Sequence, residues 1–121
     1  MSDLTPKGTM ITVDGVERKI LFTFSVVDEL QDLFGKSIDE IIGEYLENAS
    51  SEKNLSSLMK MTSTMLDVFA MESDESIRRG HFDRYVTSKN VYQIVSLIIS
   101  EYGLDLPDPE EDEGNRESGE R

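Results

Sequence analysis

Four groups of residues in this 121-residue chain have types and spacings that could do chemistry. Gly35-Lys36-Ser37 ends like a phosphate-binding loop, in which backbone N–H groups and a lysine hold phosphate oxygens. Such a loop needs a glycine five residues before the glycine-lysine pair and a strand leading into it. Leu30 stands in that place and a helical pattern leads in, so the triplet reads as a corner between two helices. His81 is the single histidine of a chain without cysteine, which leaves it no partner for a transition metal or a nucleophile; it reads as a surface or partly packed imidazole. Asp108, Glu110 and Asp112 alternate like calcium ligands, but the glycine falls at the seventh position and Pro109 interrupts the loop, so they read as a solvated acidic segment. Arg78, Arg79, His81, Arg84 and Lys89, interleaved with Phe82 and Tyr85, have the composition of a single-strand nucleic-acid groove. A net charge of −13 opposes that reading, because the chain would repel phosphate. The basic cluster is expected to be solvated or self-paired, or to meet an acidic patch on a protein partner. No catalytic residue, cofactor or metal site is expected, and the chain does not read as an enzyme.

Composition sets the outer bounds. With no cysteine there is no disulfide framework, and a reducing cytoplasm is the expected home. The amino terminus lacks the apolar stretch of a secretion signal, and no run approaches the roughly 18 apolar residues that a bilayer span requires. Neither nucleic acid nor a membrane is expected as a partner. The length suits one core. Residues 1–9, with Pro6 and Gly8, read as a flexible lead-in, residues 10–106 as a single domain, and residues 107–121 as a disordered acidic tail. Residues 105–121 alone hold eight acids and two arginines.

The elements that must position these groups are legible in the pattern. Asp14-Gly15 between β-branched residues signals a hairpin, pairing Thr12 with Glu17, Ile11 with Arg18 and Met10 with Lys19. Alternation puts Ile11, Val13, Val16, Ile20, Phe22 and Phe24 on one apolar face, with Arg18 and Leu21 the exceptions. The second strand outruns the first, so Leu21, Phe22, Thr23 and Phe24 are expected to form an unpaired edge open to another chain. A first helix is expected from Ser25 to the glycine stop at Gly35, and a second from Ser37, where Glu40 completes a capping signature. A third should run from about Asn54 to Glu72, a short fourth from Asp74 to Arg79, and a last from about Ser88 to Tyr102. The fold class is therefore α+β, an N-terminal β-hairpin packed on a mostly helical domain of four to five helices.

The third helix is unusual in the width of its apolar face. Met61 and Val68 extend a face that already holds Met65 to an arc of about 180°. A central helix enclosed on several sides explains the width. So does a second face, ending at Met71, whose flexible thioethers would adapt to a partner helix.

The hairpin ITVDGVERKILFTF, the helix SVVDELQDLFGKS with its glycine corner, the later helical segments and the acidic tail resemble the tail assembly chaperones of long-tailed bacteriophages and prophages. The likeness covers about residues 10–104 and is sharpest over 11–46. It implies a non-catalytic factor that binds the tape measure protein, keeps it soluble, recruits major tail (tube) protein subunits and self-associates in the host cytoplasm. Partner contacts would then involve Met61, Met65, Val68 and Met71 on the third helix, Leu21, Phe22 and Thr23 at the strand edge, and Arg78, Arg79 and Arg84 in the basic cluster. An acidic adaptor or regulatory binding module, such as a nucleic-acid mimic, is the alternative.

Overall fold

The structure is a computed structural model that describes residues 8–103. Residues 1–7 of the expected lead-in and the expected tail at 107–121 lie outside the described residues. Two short strands, β1 (Thr9–Thr12) and β2 (Glu17–Ile20), form an antiparallel hairpin. Four helices follow: α1 (Phe24–Phe34), α2 (Ile38–Ala49), α3 (Leu55–Ser73) and α4 (Val91–Tyr102). Single 3-10 turns at Glu52–Asn54 and His81–Arg84 complete the order. The α+β class and the hairpin register, Met10 opposite Lys19 through Thr12 opposite Glu17, are as the sequence predicts. Gly15 at φ +85° supplies the left-handed residue that the tight turn demands. Strand β1 already includes Thr9, one residue before the expected boundary.

The expected strand edge at Leu21–Phe24 does not form. The Thr23 N–H donates to the Leu21 carbonyl at 3.0 Å and closes a tight turn. Thr23, extended at φ −74° and ψ 167°, then accepts the Val26 N–H with its hydroxyl and caps α1 two residues before the expected Ser25. Phe24 therefore starts a helix and leaves the apolar face altogether, 84% exposed.

The corner between α1 and α2 follows its signals. Gly35 is left-handed at φ +70° and returns its N–H to the Gln31 carbonyl at 2.8 Å. Ser37 and Glu40 exchange hydrogen bonds in a complete capping box. Lys36 turns its ammonium to Glu44 at 2.6 Å, so the triplet is a helix corner. Ser37→Ala removes one side of the box and is expected to cost about 1 kcal/mol, readable as a lower urea midpoint with unchanged slope.

Helix α3 is the axis of the domain. It contacts α1, α2, α4, β2 and the 3-10 turn at 81–84, and its ten residues from Met61 to Ala70 are all buried except the half-buried Thr64. Tyr45 on α2 reaches it with its hydroxyl 2.7 Å from that of Thr62, and burial pushes the Tyr45 phenol well above its usual range. The far end of α4 is tied in by Phe22, whose ring meets those of Phe69 and Tyr102 edge-on at 5.2 and 5.1 Å.

The expected helix at 74–79 is absent. Asp74 uses its carboxylate to hold the N–H and hydroxyl of Ser76, and Arg78 donates to the carbonyls of Glu75 and Ile77, so side chains take the backbone groups a helix would need. Helix α4 starts at Val91 and not near Ser88 for a similar reason. Thr87 and Asn90 bond reciprocally, the Thr87 hydroxyl accepting the Asn90 N–H and the Asn90 side chain accepting that of Thr87, which fixes a turn before the helix.

Candidate docking site

The turn of the hairpin carries an acid that the fold buries. Asp14 lies four residues before Arg18, and the guanidinium closes on its carboxylate with Nη2 to Oδ2 at 2.9 Å and Nε to both oxygens at 3.2 Å. From the other side His81 Nε2 stands 2.8 Å from Asp14 Oδ2. The Asp14 side chain is only 3% exposed. Burial alone would raise its pKa, but the hydrogen bonds from Arg18 and His81 outweigh it and hold the carboxyl at about 2. An ionised Asp14 can only accept, so His81 Nε2 carries the proton and donates. Arg18 continues to Asp74 at 3.3 Å and lies over the Phe82 ring, 5.7 Å from its centre. The cluster therefore ties the hairpin turn to the segment 74–82. The His81–Asp14 contact joins segments 67 residues apart.

A second buried acid fixes the same segment from below. Asp67 of α3, 1% exposed, accepts the N–H groups of Gly80 at 2.7 Å and Phe82 at 3.0 Å. Burial raises its pKa, opposed by those two bonds. Phe82 is thereby seated in the core under the hairpin, with Ile20 and Phe69 among its neighbours.

With its turn clamped, the hairpin leaves the outer edge of β1 facing α4 across a groove of about 460 Å³. Met10, Ile11, Thr12 and Val13 line one wall, and Asn90, Gln93, Ile94 and Leu97 lie along the other. Successive side chains of a strand point to opposite faces, so a groove touching four in a row follows the strand's edge. β1 has no second strand neighbour among the described residues. Met10 at 48% and Leu97 at 36% exposure supply apolar surface beside that edge. One end of the groove is marked by Thr9 donating to Glu101 at 2.6 Å. At the other, Val13 leads into Asp14 and its partner His81, while the Asn90 amide donates to the Tyr85 carbonyl at 3.0 Å. His81, Arg84 and Tyr85 surround a hollow of about 250 Å³ there.

The residues expected to meet partners are thus scattered. Met61, Met65 and Val68 are buried within the domain, because α3 is covered on every side, and the expected methionine face for a partner helix is filled from inside. Met71 alone of that set is open, 37% exposed at the end of α3. Leu21, Phe22 and Thr23 are partly buried in the turn between β2 and α1, and Thr23 also donates to Glu72 at 3.1 Å. Arg78 is spent on backbone carbonyls, Arg79 lines a cleft with Lys60 and Asp67, and Arg84 borders the hollow beside His81. Sequence reasoning missed the Asp14–Arg18–His81 cluster, although an arginine on an otherwise apolar strand face, four residues after the turn aspartate, is its trace. The expected extension of β2 over Leu21–Phe24 is replaced by a turn and the start of α1. Comparison with known protein families, with curated proteins and with solved structures finds no match. No helix among the described residues is long and apolar enough to cross a membrane.

Proposed function

We propose that this chain is a non-catalytic assembly chaperone of the phage-tail kind, which holds a segment of the tape measure protein in the host cytoplasm and recruits tail tube subunits. The observation that carries this reading is the edge of β1, unpaired among the described residues, beside the exposed Met10 and Leu97. A strand edge offers backbone N–H and C=O groups that only another extended segment can satisfy, while a helix has already spent its own. The seat is therefore suited to an extended stretch of partner, bound by backbone hydrogen bonds and tolerant of its sequence. The net charge of −13 keeps a complex with an apolar partner in solution.

Co-expression with the tape measure protein encoded beside it should raise that protein's soluble yield; an unchanged yield with folded chaperone present would sink the reading. Leu97→Asp places a charge on the apolar wall of the groove without touching the core. It should abolish the gain in yield while moving the stability by less than about 1 kcal/mol.

A further inference from the structure

Resting on the reading of the β1–α4 groove as the seat of an extended partner segment, we propose that this segment is acidic at the end lying beside Arg84 and Lys89. Arg79, Arg84 and Lys89 have no carboxylate within ion-pairing distance among the described residues. By contrast, Arg18 is held by two aspartates and Lys36 by Glu44. Lys19, Lys53, Lys60 and Arg78 also lack such a carboxylate, so what marks Arg79, Arg84 and Lys89 is their clustering: residues 79–89 hold these three cations and a single acid, Asp83, in a chain with 25 acids and 12 lysines and arginines.

Two walls lead to them. Lys89 directly precedes Asn90, which lines the groove and bonds Tyr85, and Arg84 borders the hollow that begins where Val13 passes into Asp14 and His81. The opposite end carries Glu101, which accepts from Thr9 and presents negative charge. The groove is therefore polarised: Met10, Ile11, Val13, Ile94 and Leu97 give it apolar surface among the polar Thr12, Asn90, Gln93 and Ser96, with Arg84 and Lys89 beyond its Val13 end and Glu101 beyond its Thr9 end. A segment with alternating apolar residues and a short acidic flank matches it in shape and in charge.

Labelled peptides test the inference on the full chain. Each carries five alternating valines and threonines, flanked by four glutamates or by four lysines, with the flank at either the amino or the carboxyl end to allow both strand directions. The protein's overall charge favours the lysine peptides, so non-specific attraction predicts the opposite order to a matched groove. The better glutamate peptide should bind about tenfold more tightly than its lysine twin, as two partly exposed ion pairs would give. Its amide shifts in a nuclear magnetic resonance titration should centre on Thr9–Val13 and 80–97. Arg84→Glu with Lys89→Glu should reverse the order, and both charges are on exposed side chains, so the fold should be kept. Equal binding of the twins, binding of neither, or shifts away from β1 would overturn the inference. So would tighter binding of a thymidine oligonucleotide, or shifts in the same residues that grow with protein concentration alone and place a second copy in the groove. If the peptide order holds while tape measure yield does not rise, the proposed function falls and the chemistry of the groove stands.

Discussion

Arg18→Met should cost about 4 kcal/mol of stability, the largest loss expected from any single surface-to-core cation in this chain. The substitution leaves Asp14 nearly inaccessible with only His81 beside it, and removes the bond to Asp74 and the contact with Phe82. Leaving one member of a buried pair uncompensated is the expensive outcome, whereas removing both charges is often close to neutral. The double variant Asp14→Asn with Arg18→Met should therefore recover much of the loss, since asparagine still suits the turn. Urea denaturation of the four proteins of this cycle reads the coupling directly, and a double variant as weak as the single one would contradict it.

The same cluster predicts an acid limb. The Asp14 carboxyl is lowered to about 2 in the folded chain, so its stabilisation is present in full above about pH 4 and lost as pH falls through about 2. Asp67 acts with the opposite sign. Burial raises its pKa, so its contribution is present below the ordinary aspartate value and lost as pH rises. Urea midpoints collected from pH 2 to pH 7 should fall on the acid side in the wild type, and the fall should flatten in Asp14→Asn.

Asp67→Ala ranks second, at about 3 kcal/mol. It removes the acceptor of two backbone N–H groups, those of Gly80 and Phe82, and the latter is buried with no other partner for its N–H among the described residues. For a domain of this size the melting temperature should drop by roughly 15 °C. Asp67→Asn keeps an acceptor for one of the two N–H groups and turns an NH2 toward the other, so it should recover part of the loss. An asparagine variant as weak as the alanine one would mean that both acceptor oxygens are needed.

Much of the fold is legible in the sequence because its signals are local. Asp14-Gly15 sets the register of the hairpin, Gly35 stops α1, and Ser37 with Glu40 starts α2, each through groups no more than a turn apart. Helix α3 falls within one residue of its expected ends. What the sequence does not show depends on contacts between distant segments. Whether Met61, Met65 and Val68 face a partner or a core depends on how many elements surround α3, and periodicity along α3 alone reports only the width of its apolar face. Asp14 reads as a turn residue because turns favour aspartate, and its burial requires His81, 67 residues away. The expected extension of β2 is missing because one threonine can either extend a strand or cap a helix, and Thr23 caps.

The clamp on the hairpin turn has a consequence for what the groove can hold. Asp14, Arg18 and His81 tie down one end of the hairpin, and Thr9 with Glu101 ties down the other, so the β1 edge is held in place by contacts within the chain. On the proposed function, an incoming segment would lose mainly its own freedom on binding, which would leave more of each backbone hydrogen bond as affinity. Such an edge would take up and release one segment after another without the hairpin being rebuilt between them.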